Sequence, residues 1–216
     1  TPGRPIEGYY NLTAAAWIDA DADGHPDILL ANGFQGLRLY KNKGPATTPV
    51  ETGAPKLGPW HYAGPFEAAD GKGYDTAYPP EQAIDLAKQY PGKPNEPAVW
   101  KAKEFVDGQI NSLQLFKPEN NQNVVAYIYR EIDAPAAAEM GISLGSDDSL
   151  KVFLNGEFVL GENAGRGAAP DQNKGVLKLR PGKNQLLLKI GQGGGDFAFY
   201  FAVVGAPKVS VPPLFD

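Results

Sequence analysis

Between residues 97 and 204 the sequence repeats short runs of β-branched, aromatic and other apolar residues, and turn-forming residues separate the runs. Examples are "PAVWKAKEF", "NVVAYIYREI", "SLKVFLNG", "NQLLLKI" and "DFAFYFAVV". Such runs predict strands, and about eight to ten of them without intervening helices predict an antiparallel β-sandwich. We therefore expect an all-β chain whose main part is jelly-roll-like.

Two local patterns refine this expectation. In "VFLNGEFVL" the pair Asn155-Gly156 supplies the two positive φ angles of a type I′ hairpin turn. Farther upstream, Pro79 and Pro80 precede "EQAIDLAKQY", where Ile84, Ala87 and Tyr90 have helical spacing. Because proline is favoured in the first turn of a helix, this segment predicts one short helix.

The distribution of prolines predicts how the chain is organised. Residues 1–44 read as a small β unit, in which "YYNLTAAAWI", "DILLAN" and "GLRLYKN" predict three strands. Residues 45–59 contain four prolines and no periodicity, so we interpret them as a linker. Residues 60–206 form the β-sandwich module, and residues 207–216 form a proline-rich tail. We expect the sandwich to fold without the first unit.

Composition excludes several classes of partner and site. The net charge is −5, the sequence pI is about 5.1 and no Lys/Arg cluster is present, so we expect no nucleic-acid partner. No apolar run approaches the roughly 20 residues that span a bilayer. The absence of Cys excludes disulfides, Cys-ligated zinc, iron–sulfur clusters and a thiol nucleophile.

The stretch "WIDADADGHPDILLANG" places carboxylates at alternate positions before a glycine. Ca²⁺ takes six to eight oxygen ligands, and a curled loop with this spacing can supply them. The ligands would be the side chains of Asp19, Asp21, Asp23 and Asp27 and the backbone carbonyl of His25. The loop is not an EF-hand, because Leu30 stands where the bidentate Glu would be. The alternative is a solvated acidic turn without a metal.

The pattern around this loop, residues 9–42, resembles an FG-GAP (VCBS-type) repeat, the propeller-blade motif of integrin α chains and of many bacterial secreted proteins. The resemblance implies bound Ca²⁺ that stabilises the loop and takes no part in catalysis. Only one copy is present, whereas propellers need several blades. The unit would then be either the end of a larger propeller or a single blade docked on the sandwich.

A second acidic motif lies in "LGSDDSLKVFLNGEFV", residues 144–159. It resembles the protective-antigen-like lectin domain of flocculins and galactose-binding-like modules of glycosidases. The resemblance implies that Asp147 and Asp148 hold a Ca²⁺ that binds sugar hydroxyls, with Asn155, Asn163 and Asp196 as possible neighbours. In the alternative, both carboxylates accept hydrogen bonds from amides of their own turn. Other segments, such as "LRPGKNQLLLKI" and "GGGDFAFYF", resemble a module of secreted planctomycete-type bacterial proteins.

Aromatic residues offer platforms on which a sugar ring can stack. The candidates are Trp60, Tyr62, Tyr74, Tyr78 and Trp100. A β-sandwich needs about that many aromatic residues for its core, so each of them has a purely structural alternative. The glycine-rich loop 191–196, "GQGGGD", leaves room for a ligand, but it does not have the strand–helix context of a phosphate-binding loop.

Catalytic motifs are absent from the sequence. His25 and His61 are the only histidines, and no G-x-S-x-G or H-E-x-x-H motif is present. A pair of carboxylates for glycoside hydrolysis stays open, because such a pair is defined by geometry. We therefore favour a module without catalytic activity.

These observations predict a secreted protein, extracellular, on the cell surface or periplasmic. Because the chain begins at Thr1 without Met or signal peptide, we expect a processed or excised chain. The favoured function is a calcium-stabilised carbohydrate-binding module of a larger protein. The alternative is a structural or adhesive module that binds a protein partner or itself through its sheet edges. A third interpretation is an accessory domain of a glycosidase or an oxidoreductase.

Overall fold

The computed structural model describes residues 12–32, 36–42, 44, 53–69 and 72–209. The chain divides into two compact units: one comprises Thr1–Glu51 with Val211–Asp216, and the other comprises Thr52–Ser210. No helix in these described ranges is long and apolar enough to cross a membrane.

The first unit contains a three-stranded antiparallel sheet. Its strands are β1 (Leu12–Ile18), β2 (Asp27–Asn32) and β3 (Gly36–Tyr40), in the order β1-β2-β3. The acidic loop connects β1 to β2, so the sheet holds both ends of the loop in fixed register, with Ile18 opposite Asp27. The relation of this sheet to a propeller blade stays a prediction.

The second unit contains twelve strands within residues 53–69 and 72–209. They are β4 (Lys56–Leu57), β5 (His61–Glu67), β6 (Gln89–Lys93), β7 (Glu96–Ala102), β8 (Ile110–Ser112), β9 (Val124–Ala134), β10 (Ala138–Asp147), β11 (Ser149–Leu154), β12 (Glu157–Glu162), β13 (Asn173–Leu179), β14 (Gly182–Gln192) and β15 (Ala198–Val209).

These strands form two antiparallel sheets, which confirms the predicted all-β sandwich. The larger sheet has the order β12-β11-β14-β9-β5-β7-β6, and β4 also pairs with β9. The smaller sheet has the order β13-β10-β15-β8. The predicted hairpin joins β11 to β12, with φ of +53° at Asn155 and +83° at Gly156.

The centre of the larger sheet, formed by β9 and β14, is buried on both faces. Along β9, alternate residues such as Ile128 belong to a core shared with the smaller sheet, and the residues between them, such as Tyr127, belong to a second apolar cluster. Residues of the segment that precedes β6, Tyr78 and Ile84, pack against this second cluster. Successive side chains of a strand point to opposite faces, and both faces of β9 are covered. Every residue from Val124 to Arg130 is therefore buried.

The predicted helix after Pro80 is wrong. A 3₁₀ turn, Pro79–Glu81, takes its place, and β6 begins at Gln89. Proline disfavours the α conformation of the residue before it, and Pro91 follows Tyr90. Tyr90 is buried in the second cluster, whereas Ala87 is exposed. The two residues therefore do not lie on one buried face, as the helical spacing had predicted.

The predicted linker differs from the structure at its C-terminal end. Within residues 53–59, β4 pairs with β9, and the amide of Gly58 donates to the carbonyl of Glu131 at 2.8 Å. These residues belong to the second unit, whereas residues 45–52 lie outside the described residues. At the other end β15 extends to Val209, into the segment we predicted as a tail, and residues 210–216 are not described.

We predict that a chain of residues 52–210 unfolds cooperatively in urea, whereas a chain that begins at residue 60 is less stable. The shorter chain lacks the carbonyl of Gly58, which accepts from Nε and Nη2 of the buried Arg130 at 3.0 and 2.8 Å. Loss of a buried acceptor costs about 1–3 kcal/mol. Aggregation of the 52–210 chain, or equal stability of the two chains, would contradict this expectation.

Candidate functional sites

The acidic loop closes on its first carboxylate. The oxygens of Asp19 accept hydrogen bonds from the amides of Asp23 and Gly24, each at 3.1 Å. Ala22 and Gly24 adopt left-handed φ angles of +56° and +84°, which turn the chain back on itself. As a result, one oxygen from each of Asp19, Asp21 and Asp23 lies within 4.8 Å of the others, and all three side chains are exposed.

A lysine supplies one counter-charge to this loop. Nζ of Lys41 lies 3.0 Å from Oδ2 of Asp21. The hydrogen bond and the positive charge of Lys41 lower the pKa of the Asp21 carboxyl below its usual value. Because this ion pair is at the surface, it stabilises the loop only weakly.

Asp27 does not join the group of three carboxylates. Its side chain is completely buried, and its two oxygens accept from the amides of Ala20 at 3.1 Å and Asn42 at 2.6 Å. Asp27 therefore ties both ends of the loop to the segment that follows β3. The ring of His25 packs against Gly44, where a Cβ atom would lie 2.3 Å from Nε2, and the amide of His25 donates to Asp23.

Asp147 is the last residue of β10, Asp148 lies between β10 and β11, and the peptide bond that joins the two residues is cis. Oδ1 of Asp148 accepts from the amide of Arg166 at 3.0 Å, and Oδ2 accepts from the amide of Gly193 at 2.9 Å. Both donors belong to other loops. Asp148 is therefore not a cap of its own turn, as the alternative interpretation required, but a bridge between two distant loops.

Asp147 has a different environment from its neighbour. Its side chain has no hydrogen-bond or ion-pair partner among the described residues, and only 8% of the residue is exposed. Burial, together with the negative charges of Asp148 and Asp196, raises the pKa of Asp147 to about 6. Asp147 therefore carries a carboxyl group that is costly to ionise in the folded chain.

A cavity of about 190 Å³ opens beside Asp148. Its lining includes Tyr74, Asn163 and Gln192, and Gly191 and Gly193 leave space for it. The Oε1 atom of Gln192 is buried and has no hydrogen-bond partner, while Nε2 donates to the backbone carbonyl of Asp196. Asp148 and Asn163 also line the cavity, so groups that can accept hydrogen bonds from a ligand border it.

Asn155 does not belong to this site. The whole of β11 separates it from Asp148, which corresponds to about 20 Å at 3.3 Å per residue. Its amide group bonds to Asn184 and to the amide of Gln185, and it lines a separate groove. The resemblance in sequence placed it near the acidic pair, but a strand carries it to the opposite end of the sheet.

Of the five candidate stacking aromatics, only Tyr74 lines the cavity. Trp60 and Tyr62 are buried in the core shared by the two sheets, and Trp100 is buried in the second cluster. The hydroxyl of Tyr78 donates to the carbonyl of Glu67 at 2.5 Å. The prediction is therefore wrong for the three buried residues, because the sandwich uses them as core.

No motif pointed directly to Gln192 or Arg166 as site residues. Nη2 of Arg166 donates to Ser146 Oγ at 3.1 Å and also bonds Asn173, and this fixes the loop whose amide reaches Asp148. A polar residue at the end of an apolar strand, as in "LLLKIGQ", was the available signal for Gln192.

The two acidic sites differ in the oxygens they offer a metal. Among the described residues, the group Asp19, Asp21 and Asp23 is the one that brings three carboxylates within 4.8 Å. Asp147, Asp148 and Asp196 do not meet that condition. A cation beside Asp148 would therefore need amide or carbonyl oxygens as further ligands, and Asn163 and Gln192 line the same cavity.

No protein-family model and no curated protein matches the sequence. Among solved structures, a β-glucosidase from Kluyveromyces marxianus aligns with 68% of this chain and 16% of its own, at 16% identity and a TM-score of 0.42. Its glucose complex aligns with 78% of this chain and 17% of its own, at 14% identity and a TM-score of 0.37.

A GH31 α-xylosidase from Xanthomonas citri aligns with 92% of this chain and 25% of its own, at 12% identity and a TM-score of 0.35. This chain thus spans between 16% and 25% of the length of these two enzymes in the three structures. At such TM-scores the similarity carries no argument about the function of this chain.

We predict that Asp147→Asn makes the free energy of unfolding less dependent on pH between about 4 and 6. In that window the folded wild-type chain binds a proton that the unfolded chain has lost, because the pKa rises from 3.8 to about 6 on folding. Wild-type stability therefore falls as pH rises through the window, and the variant lacks this loss. Urea unfolding in EDTA at several pH values measures it.

The matched control for this measurement is Asp133→Asn, which changes an exposed carboxylate on β9. It should keep the wild-type slope. Equal slopes for Asp147→Asn and the wild type would show that Asp147 ionises in the folded chain as easily as in the unfolded one.

Proposed function

We propose that this chain is a non-catalytic, calcium-stabilised carbohydrate-binding module of a larger secreted protein. The observation that carries the proposal is the cavity beside Asp148, which Asn163 and Gln192 also line. Sugar hydroxyls donate and accept hydrogen bonds, so they match a cavity lined by carboxylate- and amide-bearing residues. The half-buried ring of Tyr74 offers the apolar surface on which a sugar ring can stack.

Calcium has two roles in this proposal. At Asp147 and Asp148 it would offset the like charges that raise the pKa of Asp147, and it would present open coordination positions to vicinal hydroxyls. Each oxygen of Asp148 accepts one amide hydrogen and keeps a lone pair for a metal. At the acidic loop, calcium would bind Asp19, Asp21 and Asp23, displace Lys41 and stabilise the first unit.

The arrangement of Asp148 supports a binding role over catalysis. A retaining glycosidase needs one carboxylate free to attack the sugar and a second as general acid. The amides of Arg166 and Gly193 hold both oxygens of Asp148, which lowers its availability as a nucleophile. His61, on β5, packs near Tyr129 and does not line the cavity.

We predict that Tb³⁺ binds the acidic loop and luminesces on excitation of tryptophan. Trp17 is 70% exposed and lies two residues before Asp19, so it is the natural sensitiser. Ca²⁺ should compete with Tb³⁺ and raise the melting temperature of the first unit, since a ligand of the native state stabilises it. The double variant Asp21→Asn/Asp23→Asn should lose the luminescence, whereas Asp85→Asn should retain it. Luminescence that the double variant retains would contradict a metal at this loop.

We predict that the full chain binds sugars on a glycan array in Ca²⁺ and loses the signal in EDTA. Asp147→Asn should abolish binding, and Tyr74→Ala should weaken it by about tenfold or more, equal to about 1.4 kcal/mol. Asp133→Asn is the control and should bind as the wild type does. Binding to no sugar, or binding unchanged in Asp147→Asn, would overturn the assignment of this site.

A second candidate function is adhesion through protein contacts. The edge strands β12 and β13 flank a groove of about 480 Å³ that contains Phe158 and Val176, which are 59% and 49% exposed. Exposed edges and apolar surface favour strand addition or self-association. Self-association in light scattering, abolished by Phe158→Ser and accompanied by no sugar binding, would favour this function.

A further inference from the structure

Lys189 is the most deeply buried charged side chain on the outer face of the larger sheet. Its side chain is 2% exposed, and it lies on β14 directly opposite Tyr127 of β9. Nζ donates to the carbonyl of Tyr74 at 3.1 Å, to the carbonyl of Thr76 at 2.5 Å and to Oε1 of Glu81 at 2.9 Å. An ammonium group has three donors, and here each has an acceptor.

The charges around Lys189 form a paired network. Burial lowers the pKa of Lys189, and the Glu81 carboxylate opposes that shift. The hydroxyl of Tyr127 donates to the same oxygen of Glu81, and the ring of Tyr78 lies 5.1 Å from Nζ. The charges of Lys151 and Asp75 also act on Lys189, in opposite directions. Removal of one partner of such a pair would leave a buried charge uncompensated.

Two of the three acceptors are backbone carbonyls on either side of Asp75. Lys189 therefore fixes the main chain of the segment 74–76, which has no strand pairing of its own. The ring of Tyr74 is held at the same time by Lys151, whose Nζ lies 4.2 Å from the ring centroid. The Tyr74 hydroxyl rests against Gly161, where a Cβ atom would lie 2.7 Å away.

We infer that Lys189 is a positioning residue that holds Tyr74 as one wall of the cavity beside Asp148. Lys189 does not line the cavity itself. It acts through the carbonyls of Tyr74 and Thr76, and Glu81 supplies the charge that allows an ammonium group to be buried there. For the ligand of the cavity, this inference rests on the proposed sugar binding, whereas the placement of Tyr74 is independent of it.

The experiment uses ¹⁹F NMR of the chain labelled with 3-fluorotyrosine, with the Tyr74 resonance assigned by Tyr74→Phe. In Lys189→Met this resonance should narrow and move toward its position in urea. Because this variant leaves Glu81 unpaired and can be unstable, the double variant Lys189→Met/Glu81→Gln restores neutrality. It should recover stability to urea and still show the displaced Tyr74 resonance, which a purely stabilising role of Lys189 does not predict.

Two further variants serve as comparisons in this experiment. Glu81→Gln alone leaves the buried ammonium group of Lys189 without its counter-charge, so this variant should lose stability to urea that the double variant recovers. Lys183→Met removes an exposed lysine of the same strand, paired with Glu131, and should change nothing at Tyr74. A wild-type Tyr74 resonance in the folded double variant would overturn the inference.

The glycan array separates this inference from the proposed function. If the wild type binds sugar, the double variant should lose the signal as Tyr74→Ala does, and wild-type binding by the double variant would overturn the positioning role. If the wild type binds no sugar, the proposed function fails, and the ¹⁹F result still decides whether Lys189 places Tyr74.

Discussion

β9 and β14 pair over their whole length, from Gly182 opposite Ala134 to Gln192 opposite Val124, and the second unit depends on this register. It places Leu188 in the core between the sheets and Lys189 on the outer face beside Tyr127. A slip of one residue would turn every side chain of β14 to the other face and would bring an ammonium group into the core. The same register ends β14 at Gln192, next to the bridge that Asp148 makes to Gly193.

Most of the fold could be predicted from the sequence, because the strands and turns of the sandwich follow from short sequence patterns. Alternation and turn residues predicted the strands, and Asn155-Gly156 predicted the hairpin that joins β11 to β12. The helix prediction failed at Tyr90, where burial in a strand and the following proline outweigh the spacing of apolar residues. Side-chain alternation gives the period of a strand, but it does not tell which sheet or segment covers each face.

The candidate site was less predictable, since its members are distant in sequence. The Asp147-Asp148 pair stood out by itself, but Asp148 accepts from the backbone amides of Arg166 and Gly193, and a backbone amide leaves no mark in the sequence. The ion pair of Lys189 with Glu81 joins residues 108 positions apart. The prediction of sugar-stacking aromatic residues failed because residue type does not tell burial. Trp60 and Trp100 have rings on which a sugar could stack, but they are buried in the two apolar clusters.

The bridge through Asp148 has a consequence for how this scaffold can diversify. A carboxylate that grips backbone amides holds two loops without regard to their side chains, because every residue except proline carries such an amide. Residues near Asn163 and Gly193 can then be substituted without loss of these two hydrogen bonds. Asp148 thus holds the two loops through their backbone, while the side chains of the loops are free to differ, as the loops of antibodies differ on a constant framework.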